Sequence, residues 1–144
     1  MQQNTTYFIK RLVADQVSND VTQAAITQLV AALEKNETYK YKLTLLVIGK
    51  AADDVDVALT GPSGSVLTYG LDGVNPKVSV GAAELMVALT DDLLSIVIVE
   101  GIITVSTTAG NLSPTFAMTT DVSTLPLTAK VGSSLEVWQI TDTT

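Results

Sequence analysis

The residues of this chain that could carry chemistry fall into a few groups. Gly61-Pro62-Ser63-Gly64-Ser65 approaches the G-x-S-x-G pattern that holds a serine nucleophile on a sharp turn. The last position is Ser65 rather than Gly, and the 144-residue chain contains no His to act as the base of a hydrolase triad. Turn chemistry explains the segment instead: Pro presets φ and Gly supplies a positive one. Asp53, Asp54 and Asp56 offer the oxygens that a hard cation such as calcium prefers. No starting Asp also supplies the loop Gly and closing Glu of an EF-hand, so a charged loop followed by a polar strand face is the simpler account. Asp91-Asp92 reads as a turn on the same ground. Paired carboxylates can work as the acid and base of a glycosidase, but nothing in the sequence places two of them about a cleft.

Composition removes most other reactions. With neither His nor Cys there is no imidazole base, His-ligated metal, thiol nucleophile or zinc-thiolate site, and no disulfide contributes to stability. We therefore expect no catalytic residues, no cofactor and no metal, and a chain that is not an enzyme.

The elements around these residues are strands. Val, Ile and Thr number 18, 8 and 20, and β-branched side chains suit a pleated surface. Apolar residues make up 47% of the chain and charged ones 16%, enough for a packed core and too few charges for a solvated helical bundle. Alternation is clearest over 38–48, where Tyr39, Tyr41, Leu43, Leu45 and Val47 share one face. Further strands are expected over 5–13, 55–60, 65–69, 93–106, 112–119 and 134–140, with one or two short ones within 77–90. Gly101 signals a bulge or kink in the 93–106 strand. Gly70, Gly73, Asn75 and Pro76 signal a long loop. Residues 21–33 are ambiguous. Val21, Ala25, Leu29 and Leu33 recur at helical spacing, whereas Leu29, Ala31 and Leu33 alternate as in a strand. About eight strands with regular turn signals predict an all-β, jelly-roll-like antiparallel sandwich. Residues 1–13 are expected to be an N-terminal arm or first strand, and 14–144 a single sandwich domain.

The net charge of −7 is unevenly spread: residues 1–50 hold six basic and four acidic groups, and the remainder two and eleven. Direct nucleic-acid binding is not expected, because only Lys40, Lys42, Lys10 and Arg11 approach a basic stripe. No signal peptide is visible, and the apolar stretch 93–105 is too short and too polar to span a bilayer, so no membrane partner is expected. Segments 45–48, 96–99 and 102–105 are apolar on both faces, although an isolated sandwich should keep one face of each sheet polar. That excess predicts a homo-oligomer. Trp138, on the face opposite Leu135 and Val137, fits either a subunit interface or a second buried face.

Four segments carry a resemblance: LVAALEKNETYKYKL at 29–43, ADDVDVALTGPSGS at 52–65, EGIITVSTTAGNLSPTFAMTT at 100–120 and AKVGSSLEVWQI at 129–140. Together, over less than half of the chain, they resemble small virion proteins of tailed bacteriophages with jelly-roll-like domains. The resemblance implies a strand at 28–33 and leaves a short helix at 20–27. It has no counterpart for the loop at 70–76. It implies a structural virion protein on the capsid surface, most simply a trimeric decoration (cement) protein seated on the major capsid protein or another virion protein. Tyr7, Phe8 and Ile9 would make the partner contact, and removal of residues 1–12 would abolish binding while sparing the fold. A receptor- or glycan-binding module of a fibre, tail or head appendage, with Tyr69 and Asp72 beside a loop, is the alternative.

Overall fold

The structure, a computed structural model, describes residues 7–71, 74–123 and 125–140, with the backbone alone at 74–76 and 83. Asp72 lies outside the described residues. Thirteen strands are found among them: β1 (Tyr7–Arg11), β2 (Gln16–Ser18), β3 (Ala24–Ala25), β4 (Ala31–Leu33), β5 (Thr38–Ile48), β6 (Val55–Thr60) and β7 (Val66–Leu71) lead the chain. They are followed by β8 (Val74–Val80), β9 (Ala82–Val87), β10 (Ser95–Thr104), β11 (Gly110–Met118), β12 (Leu127–Ala129) and β13 (Ser134–Ile140).

The pairings nest. β7 pairs with β8, β6 with β9, β5 with β10 and β4 with β11, all antiparallel. This is one long ribbon folded over itself, and it lays down two sheets in the orders β5-β10-β7-β8 and β4-β11-β6-β9. That is the strand order of a jelly roll. The larger sheet is extended beyond β5 by β13 and then β1, and β12 and β2 add to the same side. The alternating inward residues meet between the sheets. Tyr41, Leu43, Leu45, Leu67, Ile103 and Leu135 come from the larger sheet, and Val57, Leu59, Leu112 and Phe116 from the smaller.

Residues 20–27 are not a helix. Asp20 closes a local turn by accepting the Thr22 amide, Ala24–Ala25 pair with β11, and Thr27–Leu29 form a single 3-10 turn. Strand β4 begins at Ala31 rather than 28. Pro114 explains the break. It has no N–H to give to a neighbouring strand, so the segment loops inward there and the Ile26 amide reaches the Pro114 carbonyl at 3.0 Å. Across the break, Leu112 faces Ala31 while Thr115 faces Ala25, so the segment opposite β11 carries extra residues. Ile26 and Leu29 are fully buried by this turn, whereas Val21 is exposed. Of the helically spaced residues, Leu29 is buried in the 3-10 turn and Leu33 in β4, whereas Val21 and Ala25 are exposed, so the spacing marks no helix face.

The long loop at 70–76 is also corrected. Strand β7 runs to Leu71 and β8 starts at Val74, with a register shift between Tyr69 and Leu71. Pro76 is accommodated because β8 is an edge strand. Gly101 makes no bulge against β5, whose register with β10 is unbroken from Ser95↔Val47 to Thr104↔Thr38. Its role is on the other side, where β7 approaches too closely for any side chain.

Candidate functional site

The carboxylates that suggested a cation site are used separately. Asp53 is buried and accepts hydrogen bonds from the Val122 and Ser123 amides and the Ser123 hydroxyl. Asp54 accepts the Leu89 amide at 2.9 Å. Asp56 points outward from β6 towards Glu84 on β9. Among the described residues no three His, Cys, Asp or Glu side chains are grouped to hold a metal ion. Asp91 accepts the Ala51 amide and Asp92 pairs with Lys50, which pins a turn against the loop after β5. The Gly61–Ser65 segment is a turn closed by the Ser65 amide on the Pro62 carbonyl at 3.0 Å, with Gly64 at φ +75°. Ser63 is exposed on it.

The feature that stands out is the outer face of the larger sheet. Its register places side chains in rows across the strands. One row runs Ile140, Thr38, Thr104, Val66, Val80. The next runs Tyr7, Trp138, Lys40, Ile102, Thr68, Val78, and the Ile102 amide donates to the Thr68 hydroxyl at 2.8 Å. Solvated antiparallel sheets normally present polar residues outward. Here Val78 and Val80 are 67% and 70% exposed, and Val66, Ile102, Ile140 and Tyr7 are exposed beside them. Ile96, further along β10, is 62% exposed next to half-buried Leu46.

Aromatic side chains anchor one end of the second row. The Tyr7 and Trp138 rings lie 5.3 Å apart at 39°, and the Lys40 ammonium sits 5.9 Å from the Trp138 ring. An amphipathic aromatic pair beside a cation is the composition found at the energetic centre of many interfaces. A third row, Ile9, Glu136, Lys42, Glu100, carries the ions, with Lys42 and Glu100 3.7 Å apart.

The expected contact residues divide between the faces. Tyr7 belongs to this outer surface and half-buried Ile9 to the ionic row, whereas Phe8 packs against the core. Their strand is no free arm: β1 pairs with β13 over five residues, and Leu12 beyond it is buried. Deleting residues 1–12 is therefore expected to cost about 3 kcal/mol or more, read by urea unfolding, because it empties a core position and strips an edge strand. Tyr7→Ser is expected to cost only about 1 kcal/mol, the loss of its pairing with the Trp138 ring, and it is the variant to use for probing contacts. Trp138 was legible from strand alternation. Val66, Val78 and Val80 were missed, because they share a face with it only through the register of β7, β8 and β10.

No protein-family model matches the chain, and no curated protein matches it. Among solved structures, the chain is similar to the crystal structure of the infectious bursal disease virus VP2 subviral particle, with a TM-score of 0.36 and 9% identity. The likeness covers 94% of this chain and 40% of that one. The structure of the Gx strain of infectious bursal disease virus gives a TM-score of 0.33 at 10% identity, covering 95% of this chain and 41% of that one. The chain thus spans about two fifths of the length of these structures. The strand order, and not this likeness, makes the chain a jelly roll. No helix among the described residues is long and apolar enough to cross a membrane.

Proposed function

We propose that the chain is a non-catalytic structural virion protein, a homotrimeric capsid decoration protein of a tailed bacteriophage acting on the capsid surface. The observation that carries this reading is the exposed apolar outer face of the larger sheet, with Tyr7, Trp138, Ile102, Val66, Val78 and Val80 in adjacent rows. A sheet face rich in exposed apolar side chains, with an aromatic anchor, fits burial against protein better than against water. The jelly roll supplies a rigid support for such a face, and the resemblance of residues 29–43, 52–65, 100–120 and 129–140 to phage virion proteins points the same way. The mechanism is mechanical: binding to assembled capsid alone adds free energy to the assembled state.

Light scattering tests the first step. Three copies of the 15.1 kDa chain give about 45 kDa. The expected result is that trimer, and Ile102→Asp combined with Val78→Asp should reduce it to monomers with unchanged circular dichroism. A parent chain that is monomeric at every concentration would overturn the self-association. Imaging of particles assembled with and without the chain then tests decoration. A second reading, glycan binding, draws on the Tyr7–Trp138 pair as a stacking platform. Selective capture on a glycan array, lost in Trp138→Ala, would favour it.

A further inference from the structure

The smaller sheet is unusual in its charges. Strands β3, β4, β6, β9 and β11 contain no Lys or Arg, and their only charged residues are Asp56 and Glu84. The fold brings these two together. Ala58 faces Glu84 and Asp56 faces Met86 across the β6–β9 ladder, so the two carboxyls are diagonal neighbours on the outer face. Oδ1 of Asp56 is buried and has no hydrogen-bond partner.

We propose that Asp56, beside Glu84, is a proton-held latch that fastens edge strand β9 to β6, closed while the Asp56 carboxyl holds its proton and loosened when it ionises next to the Glu84 side chain. Among the described residues no cationic side chain on the strands of this face balances the two carboxyls. From β3 and the residues before it comes the neutral Gln23 amide, which reaches the Asp56 carbonyl at 3.5 Å and accepts the Thr115 hydroxyl of β11 at 2.7 Å. From β11 comes Ala117, opposite Asp56, and from β9 comes Met86. Asp54, two residues before Asp56, is engaged with the Leu89 amide. The salt bridges among the described residues all lie elsewhere.

The electrostatics of the site agree with the geometry. Burial first, and then the hydrogen bond and charge of Glu84, push Asp56 up to about 6. An acid raised in the fold binds more protons folded than unfolded, so its contribution to stability falls as pH rises between the ordinary carboxylate value and about 6. The released proton goes to solvent. Strand β9 is the part free to respond, because it sits at a sheet edge and, among the described residues, pairs only with β6. It is pinned just outside its ends, by the Gly81 amide on the Ser65 carbonyl and the Leu89 amide on Asp54.

The test is amide hydrogen exchange on the full chain at pH 5 and pH 7.5, corrected for intrinsic rates, with a carboxyl NMR titration of Asp56. Protection in β6 and β9 should fall several-fold between the two pH values, while β5 and β10 stay unchanged. Asp56→Asn should remove the fall, Glu84→Gln should reduce it to the part that burial alone supplies, and the Asp56 carboxyl should titrate near 6. An ordinary Asp56 titration, equal protection at both pH values, a fall that survives in Asp56→Asn, or one that Glu84→Gln leaves at full size would overturn the latch.

Discussion

Gly101→Ala should cost about 3 kcal/mol and lower Tm by roughly 10 °C, the largest loss we expect from adding a single methyl to this protein. A Cβ at Gly101 would stand 1.7 Å from the Thr68 carbonyl oxygen and 2.6 Å from its carbon. Backbone is a hard neighbour, and here it is held from both sides. Strand β10 cannot retreat, because it is paired with β5 along its whole length. The Thr68 carbonyl cannot turn away freely, because the Tyr41 hydroxyl donates to it at 2.8 Å. Burial raises the Tyr41 phenol well above its ordinary range, so it remains a donor at neutral pH. The same strand junction carries the outer face, where the Ile102 amide donates to the Thr68 hydroxyl. Urea unfolding measures the loss. Light scattering of the surviving folded fraction should also show weaker association, since Ile102 and Val78 sit on either side of Thr68. A Gly101→Ala protein as stable as the parent would mean that β7 and β10 are further apart than described.

How far this was legible from residues alone depended on whether a signal was local. Strands β5 and β13 follow directly from alternation, as with Tyr39 to Val47 and Leu135 with Val137, because inward and outward positions differ in kind. The 3-10 turn at Thr27–Leu29 was hidden. It takes Leu29 out of a helically spaced series with Val21, Ala25 and Leu33, and the cause, Pro114, comes from a strand far along the chain. The β7–β8 pairing was hidden because Gly70, Gly73, Asn75 and Pro76 are loop residues by composition; Gly73 lies outside the described residues, Gly70 ends up within β7, and edge strand β8 tolerates Asn75 and Pro76. The doubly apolar segments at 45–48, 96–99 and 102–105 did announce an exposed apolar face. Which other residues share it could not be read, because that is a property of register between distant strands. The Asp56–Glu84 pair was invisible for the same reason.

Asp53→Ala should destabilise the protein by about 3 kcal/mol, the loss expected when buried donors to a charged acceptor are left unpaired. Its carboxylate accepts the Val122 amide at 2.9 Å, the Ser123 amide at 3.0 Å and the Ser123 hydroxyl. Its own backbone carbonyl accepts the Thr119 and Thr120 amides at 2.9 and 3.1 Å. One residue thus ties the end of β11 to the loop between β5 and β6, where the chain passes from one sheet to the other. The pH dependence separates it from the latch. The Ser123 hydroxyl first, and then the two amides, hold Asp53 below its ordinary value against the opposing cost of burial. A depressed acid stabilises the fold above its unfolded value, and that contribution is lost as pH falls through the folded one. Asp53 therefore weakens the protein on the acid side of about pH 4, whereas Asp56 weakens it on the alkaline side, up to about 6. Stability measured against pH should peak between the two. Asp53→Asn, which keeps one acceptor oxygen, should lose less than Asp53→Ala and flatten only the acid limb. Asp56→Asn should flatten only the other. An acid limb unchanged in Asp53→Asn would show that the carboxylate bears no net charge-dependent load there.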